Sequence, residues 1–142
     1  LSYNQFFCEF MSKNVPVIIT NCNLLTTFGQ KCFKKSERNQ TINLDVLESL
    51  IKDHPVPIAN CSKQYFNSHE KITLTFREYC KYFKGARNEL LYLKDFHLRH
   101  ELSNLDFYNV PFFFASDWLN EYLVDNGKED YRFIYIGVDG TW

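Results

Sequence analysis

The sequence predicts an α+β domain, and three observations carry that prediction. Two capping boxes, Ser2-Tyr-Asn-Gln5 and Thr75-Phe-Arg-Glu78, each open a stretch with apolar residues at helical spacing. Short β-branched or aromatic runs, bounded by Pro, Gly and Asn, alternate with those helices. No internal repeat or low-complexity tract interrupts the 142 residues, a length suited to one domain spanning residues 1–142.

In the first helix Ser2 is the N-cap and Gln5 its reciprocal partner. Tyr3, Phe6, Phe7, Phe10 and Met11 share one face, which is expected to pack into a core. Asn14 closes the helix and Pro16 cannot continue it. Residues 17–20 are β-branched and read as a short strand. Residues 30–40 are basic and polar, and read as a solvated loop in preference to a recognition patch. Asn43 is the expected cap of a second helix with Leu44, Leu47, Leu50 and Ile51 as its buried stripe, bounded by Pro55 and Pro57. A second strand follows over residues 57–61, then a polar loop containing His69.

In the helix opened by Thr75, residues Phe76, Tyr79, Cys80 and Phe83 share a face and Gly85 ends it. Residues 90–93 form a third strand, and residues 110–114 read as extended and apolar. Ser116 or Asp117 caps a short helix through Tyr122, and a turn at residues 125–127 precedes the last strand. In that strand Arg132, Ile134 and Ile136 face one side, with Phe133 and Tyr135 on the other. It therefore reads as buried on both faces. Its outer neighbours are not among residues 1–142, so the sequence reads as the front part of a larger domain, expected to be poorly soluble or molten by itself.

An aromatic fraction of 18% argues for a bulky core or an aromatic-lined cavity and against disorder. A net charge of −1 supplies no field favouring nucleic acid or an acidic membrane surface. No apolar run approaches the ~18 residues of a membrane span. The five cysteines are odd in number and contain no Cys-x-x-Cys pair, which suits reduced thiols and a cytoplasmic or nuclear location. The sequons at Asn39 and Asn60 carry little weight against chance occurrence.

Chemistry is harder to find. His97-Leu-Arg-His100, with Asp95 nearby, has the spacing of two metal ligands on a helix but lacks a third, and reads as surface polar residues. There is no Gly-rich phosphate loop, no Gly-x-Ser-x-Gly elbow and no cysteine placed for nucleophilic work. No catalytic or metal-ligating residue is assigned from pattern.

Several segments, in order, resemble the N-terminal half of the Jumonji-C (JmjC) oxygenases. They are Phe10-Met-Ser-Lys-Asn-Val-Pro-Val-Ile-Ile19, Val56-Pro-Ile-Ala-Asn-Cys61, Tyr92-Leu-Lys-Asp-Phe-His-Leu98, Ser116-Asp-Trp-Leu-Asn-Glu121 and Asp130-Tyr-Arg-Phe-Ile-Tyr-Ile-Gly137. The resemblance implies the helices and early strands of a cupin-like double-stranded β-helix (jelly roll), truncated before the iron motif. It implies Fe(II) and 2-oxoglutarate as cofactors of the full-length protein, and none for this stretch alone. In the family, the last strand and its Gly-x-Trp turn lead into a His-x-Asp iron motif, and none of the four histidines here begins one.

The nearest branch of the family implies lysyl hydroxylation of a translation release factor, with a protein as partner. A histone lysine demethylase and a catalytically inactive binding module are the alternatives. Tyr92 matches the position where related hydroxylases present a hydroxyl to the far carboxylate of 2-oxoglutarate, against a plain core role. Trp118, Asn120 and Trp142 are the implied borders of the substrate entrance, while Asp95 and His97 would support the site from behind.

Overall fold

The computed structural model describes residues 1–35, 40–66, 68–128 and 131–142. In chain order these form α1 (Tyr3–Phe6), continued by a π-helical turn (Phe7–Met11), α2 (Thr27–Lys31), β1 (Phe33–Lys35), β2 (Gln40–Ile42), α3 (Leu44–Ile51), β3 (Pro55–Tyr65) and β4 (Ser68–Thr75). Then follow α4 (Phe76–Lys84), β5 (Leu91–Phe96), α5 (Leu98–Glu101), a 3₁₀ turn (Phe112–Phe114), α6 (Trp118–Asp125) and β6 (Ile134–Gly137). Helices mixed with antiparallel sheets are the predicted α+β class, consistent with part of a cupin-like fold. The chain divides into two compact units, residues 31–105 with 131–142, and residues 1–30 with 106–130.

The first of these units is built on a four-stranded sheet in the order β4-β3-β5-β6. Residues directly opposite in an antiparallel ladder share a face. The registers Ile72–Ile58, Ile58–Leu93 and Leu93–Ile136 therefore place one apolar row on one side of all four strands. Val56, Ile58 and Leu93 of that side are fully buried, together with Phe76, Tyr79 and Cys80 of α4. Helix α4 forms because the capping box operates: Thr75 Oγ1 accepts from the Glu78 N–H, and Glu78 accepts from the Thr75 N–H. It ends at Gly85, as its sequence requires. Helix α3 lies beside α4, with Lys84 bridging Asp45 and Glu48 at 2.9 Å each. Its stripe is realised by Leu44, Leu47 and Ile51, with Leu50 half-buried. Asn43 occupies the cap position without capping: its Nδ2 donates to the Lys31 carbonyl, and its Oδ1 accepts from no N–H among the described residues.

Several expectations are corrected in this unit. The loop holding His69 is a strand, β4, pairing with an eleven-residue β3. Only alternate residues of β4 are apolar, as suits a strand with one face to the core, and the polar ones read alone resemble a loop. Residues 33–35 and 40–42 pair as a ladder where a solvated loop was expected, and residues 36–39 lie outside the described residues. Strand β6 is not buried on both faces: Ile136 is buried but Tyr135 is 45% exposed, since among the described residues β6 pairs with β5 alone. Asn60 is buried and its side chain accepts from the Ser62 N–H, which is no environment for glycosylation, while Asn39 lies outside the described residues.

In the other unit, the Ser2–Gln5 capping box is present and α1 passes into the π turn after Phe6. Phe6 alone of the aromatic stripe is buried, edge-on to Phe113 and Phe114, so the stripe is a core face only in part. Asn14 closes the segment with φ of 52°, a conformation asparagine tolerates better than most residues. The strand expected at residues 17–20 does not form. A strand needs a ladder partner, and these residues have none among those described; Ile18 is 91% exposed. The extended run expected at 110–114 is instead a 3₁₀ turn closed by the Phe114 N–H on the Pro111 carbonyl. Asp117, not Ser116, caps α6, which runs beyond Tyr122 to Asp125 before Gly127 turns the chain at φ of 65°.

Candidate functional site

The sheet of the first unit has a second face, and its composition differs from the core side. The registers Lys71–Ala59, Ala59–Tyr92 and Tyr92–Gly137 make a row across all four strands on that face. The row is large-small-large-absent in side-chain volume, so a shallow gap opens at Ala59, while the space over Gly137 is taken by Thr141 and the Tyr92 ring. A cleft of about 460 Å³ lies over Ala59, lined by His69, Lys71, Lys94, Asp95 and Trp142 among others.

The polar groups of the cleft are tied together across strands. Asp95 sits in a bulge of β5, between Leu93 and Phe96, with φ of 61°. That geometry aims its carboxylate sideways, where it accepts from Tyr135 Oη at 2.9 Å and pairs with Lys71 Nζ at 3.2 Å. Burial pushes the Asp95 carboxyl up, but the hydrogen bonds from Tyr135 and Lys71 outweigh it and hold the group below the usual carboxylate range. The same hydrogen bond to Asp95 is the chief cause that moves the Tyr135 phenol up to about 12. The Trp142 ring stands edge-on to His69 at 4.4 Å, and its carbonyl accepts from Cys61 Sγ. His69 Nε2 is buried with no hydrogen-bond partner among the described residues.

Of the residues singled out in the sequence, Tyr92 and Trp142 belong to this unit. Tyr92 is half-buried in β5 on the second face, its ring 6.0 Å from that of Tyr135. Its hydroxyl makes no hydrogen bond within the described residues. Trp142 forms one wall of the cleft. Asp95 lines the cleft directly, a nearer position than the supporting one expected. His97 precedes α5 and packs on Phe133 at 4.1 Å. Trp118 and Asn120 belong to α6 in the other unit. There Trp118 is 67% exposed, whereas Asn120 is buried and donates to the Asp117 carboxylate at 2.7 Å.

Lys71, Ala59, His69 and Tyr135 were missed in sequence. The alternation of Lys71, Ile72, Thr73 and Leu74 was the available signal for the strand that carries Lys71 and His69 to this face.

This face offers the free Tyr92 phenol, and the cleft over Ala59 offers Lys71 and Lys94; these are donor types suited to a carboxylate anion, so they fit one end of a dicarboxylate such as 2-oxoglutarate. They do not fit iron. Among the described residues no three His, Cys, Asp or Glu side chains converge, and the His97–His100 rings, 6.3 Å apart, have no third donor with them.

No family profile matches the chain. Individual proteins do. The chain is 39% identical over its full length to the 2-oxoglutarate and iron-dependent oxygenase JMJD4 homolog of Drosophila melanogaster, covering 41% of that protein. It is 35% identical over 99% of its length to the 2-oxoglutarate and iron-dependent oxygenase JMJD4 of Gallus gallus, covering 34% of it. A more distant match, 29% identical over the full chain and 34% of the relative, is the arginine-specific demethylase JMJ20 of Arabidopsis thaliana. The chain thus spans well under half the length of these relatives.

Proposed function

The chain belongs to the JmjC family of 2-oxoglutarate and iron-dependent oxygenases, and from that premise we propose that it is the N-terminal portion of the single JmjC domain of a protein hydroxylase. The observation that carries the reading to named residues is the unengaged Tyr92 phenol on the second face of the sheet, in one row with Ala59 and Lys71, while Lys71 and Lys94 line the cleft over Ala59. In this reading Tyr92 donates a hydrogen bond to the far carboxylate of 2-oxoglutarate. The two ammonium groups supply positive potential, moderated at Lys71 by Asp95. Bound 2-oxoglutarate supplies the reducing equivalents of oxygenase chemistry. The iron donors are not assembled by these residues, so their part is to bind and orient the co-substrate. Trp142, a wall of the cleft, borders the entrance for a protein substrate.

The substrate proposed is a lysine of a translation release factor, in the cytoplasm, where five free thiols are stable. A second reading, removal of an N-methyl group from a protein side chain, is favoured by the similarity to an arginine-specific demethylase.

The test uses the full-length protein with Fe(II), 2-oxoglutarate and a release-factor domain. Succinate formation matched by gain of one oxygen on lysine supports hydroxylation, and formaldehyde release from a methylated peptide would replace it with the second reading. Tyr92→Phe is expected to raise KM for 2-oxoglutarate roughly tenfold, about the worth of one hydrogen bond to a charged group, with a smaller change in kcat. An unchanged KM would remove Tyr92 from the site.

A further inference from the structure

Gly137 lies directly opposite Tyr92 in the β5–β6 ladder. A Cβ placed on it would stand 2.8 Å from Tyr92 Cδ2 and 3.0 Å from Cε2, well inside carbon–carbon contact distance. The backbone there is not left-handed, unlike that of Gly127 and Gly140, so conformation does not demand glycine at this position. Space does, and Thr141 Oγ1 together with the ring of Tyr92 fills it. Tyr135, two residues earlier on the same face of β6, flanks that ring at 6.0 Å and is itself held by Asp95.

We propose that Gly137 is a positioning residue: its missing side chain is the seat on which the Tyr92 ring rests, and this seat aims the phenol at the co-substrate carboxylate. Tyr135, tethered by Asp95, is the side wall of the seat. The inference rests on the assignment of Tyr92 made above. A phenol oxygen sits at the far end of its ring from Cβ. A tilt that clears one methyl group at Gly137 therefore moves the oxygen further than the ring edge, and hydrogen-bond geometry tolerates only a few tenths of an ångström.

The added Cβ would also meet Thr141 Oγ1, so the test is made in a Thr141→Ala background, where Tyr92 is the remaining close neighbour. In the full-length protein, 2-oxoglutarate affinity is measured by anaerobic titration calorimetry and the tyrosine environment by near-ultraviolet circular dichroism. Gly137→Ala is expected to weaken binding roughly tenfold and to alter the tyrosine signal. Added to Tyr92→Phe, it is expected to weaken binding no further, because the hydrogen bond it misdirects is already gone. The same loss of affinity with and without the Tyr92 hydroxyl would overturn the seat and leave a general structural effect. Unchanged affinity in Gly137→Ala, where Tyr92→Phe does weaken binding, would also overturn it. If Tyr92→Phe itself leaves affinity unchanged, the assignment of Tyr92 fails first and the seat has nothing to aim.

Discussion

Tyr79→Phe is the perturbation that most directly tests how helix and sheet are joined. Tyr79 is fully buried, and its hydroxyl reaches past the core row to the backbone of two strands. It donates to the Ile136 carbonyl of β6 and accepts from the Leu93 N–H of β5 at 3.3 Å, with the Leu91 carbonyl at 3.5 Å as a weaker neighbour. Phenylalanine keeps the ring, so no cavity opens. What is lost is two hydrogen bonds, each with a net worth of about 1 kcal/mol, and a buried N–H and C=O are left without a partner. The sum is roughly 2–4 kcal/mol. Chemical denaturation of the full-length protein and its variant reads it directly: the midpoint falls while the slope stays constant.

Burial also raises the Tyr79 pKa far above its ordinary value. The stabilisation is therefore fully present below about pH 10, where the unfolded phenol ionises, and is lost as pH rises beyond it. The gap between wild type and Tyr79→Phe should narrow above pH 10. A loss below about 1 kcal/mol, or a gap independent of alkaline pH, would refute the reasoning.

Two further outcomes are expected. Thr75→Ala removes the hydroxyl that accepts from Glu78 N–H and should cost about 1 kcal/mol, with Thr75→Ser recovering most of it in the same denaturation assay. Asp95 is held below the usual carboxylate range, so its contribution is present above about pH 4 and lost as pH falls through its lowered value. Lys71→Met should shrink that acid loss by no more than about 1 kcal/mol, since the pair is partly exposed, as judged by melting between pH 5 and pH 3.

The local elements were the legible part. Both capping boxes, the buried stripe of α3 and the face of α4 follow from residues three and four apart, and such spacing acts within one helix whatever surrounds it. The class followed as well, because interleaved helical and strand patterns admit few layer arrangements. Tyr92 and Trp142 could be singled out only through family resemblance, since nothing in their immediate neighbours distinguishes them from core aromatics.

Whatever depended on pairing was decided by tertiary structure. Residues 17–20 are as β-branched as any strand here, yet remain unpaired among the described residues, while the polar-looking stretch around His69 became β4 because β3 offered it a full ladder. Strand β6 looked buried from both sides, but burial depends on which strands lie alongside, and among the described residues only β5 does. The same holds for the site. Lys71, Ala59, Tyr92 and Gly137 are scattered over 79 positions of sequence and meet only because three registers align them in one row. Helical spacing is written in consecutive residues, whereas a sheet face is set by hydrogen bonds between distant ones, so sequence determined the helices and pairing determined the cleft.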